Sequence, residues 1–498
     1  MDNREQILQQ SDFGSRIAED DSQLTNYFVE TEHWRKLTED KVDIIFGAKG
    51  SGKSALYSLL LKERQNFRLD RRTLVLPAEN PRGAPAFRDL ISQQILSEES
   101  FRGLWKLYFL SISADYYRHM LQTSPEYARD DAELVIKLLE KDGLLTPDIN
   151  LLSRLKAAFD YVLRIARPKS IEGSYIDPAG ATFSTKITLQ EPTKTQQDSG
   201  YTSVDTLLAK LNLAFQSIDV TVWLALDRLD IAFADSDDLE KNALRSLFRT
   251  YLDMSSLGNI KLKIFLRDDI WKKIVEDGFR EASHITRTIT LSWDSTSLLH
   301  LMVKRLAANE PITQYYSFNQ ANLARDAKQQ LDFFYKIFPK QVDIGKRKPL
   351  TLDWMLTRTA DGSKRTAPRE LIHLLLSCRE EQLKRYETGN AKPNEDCLFE
   401  SMVIRQGLHA VSRSRYEQTL CAEYPSLKEL LAALEGEKTL QDVTSLSKLW
   451  KQSNEQATSN ANKLVETGFF ERRGDKDTPM FWVPFLYRDA LKMIQGTA

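Results

Sequence analysis

Gly47-Ala48-Lys49-Gly50-Ser51-Gly52-Lys53-Ser54 matches the phosphate-binding pattern G-x-x-x-x-G-K-[ST] at every fixed position. An apolar run over residues 42–46 precedes this stretch, and a helix-forming run over residues 55–61 follows it. A strand that ends in a glycine-rich turn and opens into a helix leaves several backbone N–H groups without partners. Those groups, with the positive end of the helix dipole, attract phosphate. Because the pattern lies between a predicted strand and a predicted helix, a chance match is improbable. The stretch therefore predicts nucleotide binding.

The residues of this loop have separate predicted roles, with a nucleotide and Mg²⁺ as the expected ligands. Lys53 would neutralise the β- and γ-phosphates, and the Ser54 hydroxyl would be a ligand of Mg²⁺. The residues expected to hold the phosphates are Gly47, Gly50, Ser51, Gly52, Lys53 and Ser54.

Asp227 is the predicted second ligand of the metal. It follows the apolar run over residues 220–226, and a magnesium–nucleotide site needs a carboxylate at the end of a neighbouring buried strand. The alternative is an aspartate that caps the next helix. The next residue is Arg228, which cannot accept a proton. Asp230 is the nearest substitute for a water-orienting carboxylate and Glu240 is more remote, so we expect slow or partner-dependent hydrolysis.

Two arginines are candidate sensors of the γ-phosphate. Arg267 ends the fourth apolar run, where a guanidinium could make a bidentate contact with phosphate. A pair with Asp268 or Asp269 is the alternative. Arg369 lies in the first turn of a helix opened by Pro368, where the helix dipole disfavours a cation. A compensating anion is therefore expected there, either the nucleotide or a structural partner.

The composition excludes several classes of protein. A net charge of −1 over 498 residues argues against a chain that coats nucleic acid or membrane through bulk charge. Three cysteines without a C-x-x-C pair indicate free thiols and a cytoplasmic location. No apolar segment is long enough to span a membrane. The six histidines form no metal-ligand pattern, so an independent nuclease or protease is not expected.

The alternation of apolar runs and helical stretches predicts a parallel α/β sheet with its ligand at the carboxyl ends of the strands. Five strands are expected, near residues 42–46, 73–76, 220–226, 261–266 and 286–291. A helical insertion over about 84–200, with a polar hairpin at 174–189, would interrupt this core. The predicted division is a nucleotide-binding core over 1–310, a helical region over 311–395 and a winged-helix-like domain over 396–498.

These features together resemble the STAND and AAA+ branch of P-loop ATPases, especially bacterial relatives of the origin-recognition type. The matching stretches are FGAKGSGKSAL (46–56), WLALDRLD (223–230), IFLRDDIW (264–271), the LSW around Trp293 and RTAPRELIHLL (365–375). The resemblance implies Walker A, Walker B, sensor 1 and sensor 2 roles for the first, second, third and last of these. It also implies that residues 1–310 are an ATPase core with ATP as its nucleotide and that residues 311–395 are a helical lid. Arg280 and Arg287 are candidates for an arginine finger, although surface solubility explains either.

The resemblance also implies a biological setting. Such relatives often act in bacterial antiphage or mobile-element systems beside an effector, which predicts an ATP-dependent switch or homo-oligomeric platform that controls a protein partner. The rivals are a DNA-loading or transposition-type ATPase and a non-hydrolysing scaffold that binds ATP. DNA binding is weakly supported, because residues 442–498 carry eight Lys or Arg against seven Asp or Glu, a net charge of +1.

Overall fold

The structure is a computed structural model, in which the chain divides into two compact units. The sheet unit comprises Glu32–Ala48 and Lys53–Leu291, and the helical unit comprises Met1–Thr31, Lys49–Gly52 and Ser292–Ala498. The structure describes residues 3–62, 72–79, 97–145, 151–166, 186–229, 237–276, 278–323, 326–393, 396–475 and 477–498.

A five-stranded parallel sheet forms the centre of the sheet unit. The strands of this unit are β1 (Ile44–Gly47), β2 (Thr73–Pro77), β3 (Ile187–Thr188), β4 (Thr202–Ser203), β5 (Thr221–Leu226), β6 (Ile260–Arg267) and β7 (Thr288–Thr290). The sheet has the order β2-β5-β6-β1-β7, and every neighbouring pair is parallel. All carboxyl ends therefore meet at one edge, which confirms the predicted parallel α/β core.

The burial of the strands explains why apolar runs in the sequence predict their positions. All four residues of β1 are buried, and five of the six residues of β5 are buried. A parallel sheet is covered on both faces, so its strands read as continuous apolar runs. The helices of this unit are Glu32–Thr38, Lys53–Lys62, Glu98–Thr123, Asp130–Lys141, Leu151–Ala166, Lys194–Asp198, Val204–Ser217, Asp237–Met254 and Asp268–Glu276.

Helices occupy the region between β2 and β5 in which the sequence predicts an insertion. The helix Glu98–Thr123 is buried along most of its length, and its Trp105 donates a hydrogen bond to the carbonyl of Ala243 at 2.9 Å. Its apolar side chains belong to the same core cluster as those of the sheet. Most of the predicted hairpin at 174–189 lies outside the described residues. Its last part contains β3, which pairs in parallel with β4.

The helical unit contains a second, smaller sheet near its carboxyl terminus. The strands β8 (Lys438–Asp442), β9 (Glu471–Arg473), β10 (Met480–Trp482) and β11 (Ile494–Thr497) have the order β11-β8-β10-β9. β10 is antiparallel to both neighbours, and β11 is parallel to β8. Two helices, Val443–Trp450 and Asn454–Glu466, lie between β8 and β9. The assignment of this region as a winged helix stays a prediction.

The other helices of this unit share its apolar core with the amino-terminal segment. Ile7, Leu8 and Phe13 belong to the same core cluster as Leu371 and Leu375. The three-domain division stays a prediction, and the described contacts group residues 1–31 with the residues from 292 onward. The remaining helices are Asn3–Gln10, Ser295–Ala307, Glu310–Tyr315, Gln320–Leu323, Ala327–Ile337, Thr351–Thr359, Pro368–Glu387, Ser401–Ser414, Cys421–Glu423, Lys428–Ala432 and Phe485–Arg488.

Within the described parts of the chain, no helix is both long and apolar enough to cross a membrane.

Candidate functional site

The predicted phosphate loop has the backbone that the sequence requires. β1 ends at Gly47, and the next helix begins at Lys53. Gly50 and Gly52 have φ angles of 81° and 98°, in the left-handed region that side chains disfavour. The Nζ atom of Lys53 donates hydrogen bonds to the carbonyls of Gly47 and Ala48, at 2.7 and 3.0 Å. The lysine thus lies against the loop, next to the backbone that would bind phosphate.

Ser51 provides a test of whether this loop fits a polar ligand. The residue is only 5% exposed, and its hydroxyl has no hydrogen-bond partner among the described residues. A buried hydroxyl without a partner costs free energy unless something else satisfies it. The main-chain carbonyl of Ser51 accepts a hydrogen bond from Nε1 of Trp293 at 2.8 Å, which fixes the loop there. The loop residues therefore fit the phosphates of a nucleotide.

The tip of the loop is held by residues of the helical unit, to which Lys49–Gly52 belong. Lys49 forms an ion pair with Glu423. A Cβ atom at Gly50 would lie 3.4 Å from the side chain of Glu370, near the start of the helix Pro368–Glu387. Glu370 is buried and pairs with Arg415 at 3.0 Å. None of these contacts was predicted from the sequence, because their partners are distant along the chain.

Arg369 lies directly beside the loop tip. A Cβ atom built at Gly50 would be 3.1 Å from the Cβ of Arg369. The arginine is half-buried and has no hydrogen bond or ion pair with any described residue. This placement is compatible with the predicted contact to a nucleotide phosphate, and that role stays a prediction.

Asp227 and Ser54 are the residues that would hold Mg²⁺. Asp227 directly follows β5 and is 3% exposed, and Ser54 lies in the first turn of the helix after the loop. No group of three or more His, Cys, Asp and Glu able to hold a metal occurs in the described parts of the chain. Mg²⁺ suits such a sparse site, because it usually binds one or two carboxylates together with nucleotide phosphates and water.

Among the residues after Asp227, Arg228 has no acceptor, and the more remote Glu240 is a buried carboxylate, 9% exposed. Arg228 has a φ angle of 60°, in the left-handed region. Asp230, the predicted substitute, lies outside the described residues.

Arg267 forms the local ion pair that competes with its predicted sensor role. It is the last residue of β6, and its Nε and Nη2 atoms donate to Asp269 at 3.0 and 2.6 Å. The sensor role stays a prediction. Arg287, one candidate arginine finger, donates to Asp43 at 2.6 Å beside the amino end of β1. Arg280 begins a 3₁₀ turn, Arg280–His284.

Glu79 is the residue that sequence reasoning missed. It follows β2 by two residues and is 1% exposed. Tyr57, in the helix after the phosphate loop, donates its hydroxyl to the main-chain carbonyl of Glu79 at 2.9 Å. Burial and then the negative charges of Asp227 and Glu79 raise the pKa of Tyr57, which places the phenol near both carboxylates. The available signal was a carboxylate two residues after an apolar strand, a weaker form of the pattern that points to Asp227.

No protein-family model matches the chain, and no curated protein sequence matches it. Among solved structures, it is similar to the Aeropyrum pernix ORC2 protein, solved as ADPNP–ADP complexes, with 10% sequence identity and a TM-score of 0.30. The alignment covers 92% of this chain and 90% of that chain.

Proposed function

We propose that the protein binds ATP with Mg²⁺ at the phosphate loop and hydrolyses it slowly. The observation that supports this most strongly is the loop itself. Gly50 and Gly52 adopt left-handed backbone, Lys53 lies against the loop, and the Ser51 hydroxyl is buried without a protein partner in the described structure. Asp227 and Ser54 supply the oxygen ligands that suit Mg²⁺. The metal would neutralise charge on the phosphates when bound.

The binding claim is tested with Lys53→Ala beside Lys62→Ala, an exposed lysine at the end of the same helix. Removing a charge-assisted contact to phosphate should weaken ATP binding by about 100-fold, or about 2.7 kcal/mol. Calorimetric titration with ATP and Mg²⁺ measures the affinity, and Lys62→Ala should match the wild type. Equal affinity in all three proteins would contradict the proposed site.

Measuring the release of inorganic phosphate from ATP distinguishes an ATPase from a non-hydrolysing scaffold that only binds ATP. We expect wild-type turnover that requires Mg²⁺ and is lost in Lys53→Ala. ATP binding without turnover in any condition would leave the non-hydrolysing scaffold as the function.

The proposed biological role is a nucleotide-dependent switch or homo-oligomeric platform that controls a protein effector. The resemblance to STAND and AAA+ ATPases implies antiphage defence as its setting. Contacts of the loop tip support a switch. Lys49 pairs with Glu423, and Gly50 lies against Glu370, which in turn pairs with Arg415. A change of the loop on nucleotide binding would thus act on helices of the same unit. The three cysteines are free thiols, in agreement with a cytoplasmic location.

A second candidate is an ATPase stimulated by DNA, and one cluster of the helical unit favours it. The guanidinium groups of Arg473 and Arg488 lie 3.9 and 4.7 Å from the ring centre of Trp482, and Arg488 also lies 4.0 Å from that of Phe485. Burial, and then the charges of Arg358 and Arg473, lower the pKa of Arg488 to about 10. Arg473 also donates to Glu471 at 3.0 and 3.1 Å, so Arg488 is the cation of this aromatic cluster that would meet a polyanion. Turnover measured with and without duplex DNA, at low and high salt, distinguishes this candidate.

A further inference from the structure

The pairing of β2 with β5 places two buried carboxylates side by side at the carboxyl edge of the sheet. Pro77 is the register partner of Ala225, and the amide of Ala78 donates to the carbonyl of Ala225 at 2.8 Å. The parallel pairing therefore continues beyond the last residue of β2. Glu79 and Asp227 each lie two residues past this register pair, so the same alignment makes them neighbours across the two strands.

Two tyrosines fix the backbone of this segment. The hydroxyl of Tyr108 donates to the carbonyl of Ala78, and that of Tyr57 donates to the carbonyl of Glu79, each at 2.9 Å. Both tyrosines are fully buried. Tyr57 follows Lys53 by one helical turn, so its hydrogen bond connects the segment to the helix that begins at the phosphate loop. Glu79 is thus held in a defined place relative to Lys53, as a catalytic group needs to be.

Arg228, the residue next to Asp227, cannot orient and deprotonate the water that attacks ATP. ATP hydrolysis needs a carboxylate or a similar group that orients the attacking water and accepts its proton. Arg228 cannot do so, because a guanidinium has no acceptor. Glu79 has the required chemistry, and it stands at the same edge of the sheet as the metal ligand Asp227.

We propose that Glu79 is the carboxylate that orients the attacking water and accepts its proton when ATP is hydrolysed at the phosphate loop. This rests on the proposed ATPase function. The water oxygen forms a bond to the γ-phosphorus, and the bond from that phosphorus to the β–γ bridging oxygen breaks. The proton of the water passes to Glu79 and then to solvent, and the products are ADP and inorganic phosphate.

The test is Glu79→Gln, which keeps the size of the side chain but cannot accept the proton. Turnover should fall by about 10²–10⁴-fold, the usual contribution of a general base. ATP affinity by calorimetric titration and the melting temperature should both match the wild type. After incubation with Mg²⁺ and ATP, nucleotide recovered from the denatured variant should be ATP, whereas the wild type should yield ADP. Glu140→Gln, at an exposed glutamate of the same unit, is the matched control and should behave as wild type.

Each of the other possible results contradicts either the role of Glu79 or the proposed ATPase function. If Glu79→Gln turns over ATP at the wild-type rate, Glu79 is not the base. If, in addition, Asp230→Asn loses ATP turnover, the role belongs to Asp230. If Glu79→Gln has a lower ATP affinity and a lower melting temperature as well as a lower turnover, the role of Glu79 is structural. A wild-type protein that binds ATP without turnover overturns both the ATPase and Glu79 as its base. A wild-type protein that does not bind ATP overturns the proposed function at the binding step.

Discussion

The two edges of the five-stranded sheet carry buried charge in different ways. At the amino edge, Asp40 and Asp43 precede β1 and meet three cations. The Nζ atom of Lys263, which is 0% exposed, lies 2.7 Å from a carboxylate oxygen of each aspartate. Arg287 donates to Asp43 at 2.6 Å, and Lys261 pairs with Asp40. Each acid is compensated by protein cations, which is what a buried cluster needs for stability.

The carboxyl edge combines buried acids with the phosphate loop. Glu79 and Asp227 end neighbouring strands, and Arg228 follows in the left-handed region. The phosphate loop continues from β1 at this same edge, with left-handed glycines and the buried hydroxyl of Ser51. Left-handed backbone occurs at both edges, because Asp40 and Asp219 have φ angles of 55° and 56° before β1 and β5, so the phosphate loop and not strain distinguishes the carboxyl edge. The comparison therefore predicts that changes at the amino edge affect stability and that changes at the carboxyl edge affect nucleotide chemistry.

The largest effect on stability is expected from Lys263→Met, at the amino edge. Loss of one partner from a buried ion cluster should lower the free energy of unfolding by about 3 kcal/mol, because Asp40 and Asp43 would lose their most buried cation. Lys263 also lies 4.2 Å from the ring centre of Trp223, and that contact would be lost too. Urea denaturation followed by fluorescence or circular dichroism measures the change.

The matched control for this variant is Lys273→Met, at an exposed lysine of the helix Asp268–Glu276. It should unfold like the wild type. ATP affinity of Lys263→Met, measured at a temperature at which the variant is folded, should equal that of the wild type. A loss of affinity without a loss of stability would contradict the division of roles between the two edges.

The sequence predicted the features that depend on local pattern. The apolar runs around Ile44 and Leu224 identified strands, and the glycine spacing identified the loop between β1 and its helix. Asp227 is a candidate ligand because a carboxylate follows a buried run, and its role stays a prediction. Glu79 was missed although it follows another buried run, because its importance depends on the pairing of β2 with β5, which the sequence does not specify.

Contacts between distant residues explain the other omissions. The ion pair of Lys49 with Glu423 joins residues far apart in the chain, so no local pattern reveals it. The pair of Arg267 with Asp269 was one of two alternatives that the sequence left open, since spacing alone does not decide which anion a guanidinium meets.

A smaller effect is expected from Gly50→Ala, and Gly143→Ala isolates its cause. Both glycines have left-handed φ angles, 81° and 72°, so an alanine at either should cost about 1–2 kcal/mol of backbone strain. A Cβ atom at Gly50 would lie 3.1 Å from the Cβ of Arg369, whereas a Cβ atom at Gly143 would meet nothing within 4 Å. Only Gly50→Ala should therefore disturb the loop, weakening ATP binding by about tenfold, or about 1.4 kcal/mol.

Two measurements separate strain from crowding in this pair. Thermal unfolding should show comparable destabilisation of the two variants, and calorimetric titration with ATP should show lower affinity for Gly50→Ala alone. Equal affinity of both variants would mean that the contact of the loop tip with Arg369 has no influence on nucleotide binding.

The smallest effect concerns the pH dependence contributed by the amino edge. Burial acts to raise the pKa of Asp40, but Lys263 and Lys261 outweigh it and hold the pKa below its ordinary value of 3.8. A carboxylate with a lowered pKa stabilises the fold above its unfolded pKa, and this contribution is lost as the pH falls through the folded pKa. Lys261→Met removes one cation, so the pKa of Asp40 should rise toward 3.8.

The variant should therefore lose about 1 kcal/mol or less at neutral pH, and its difference from the wild type should shrink as the pH falls below 3.8. Urea denaturation at a series of pH values measures this difference. Lys41→Met is the control, because Lys41 pairs with Glu39 at the surface and should leave the pH dependence of Asp40 unchanged. A difference that stays constant through the acid range would show that Lys261 stabilises the sheet by packing of its side chain and not by its charge.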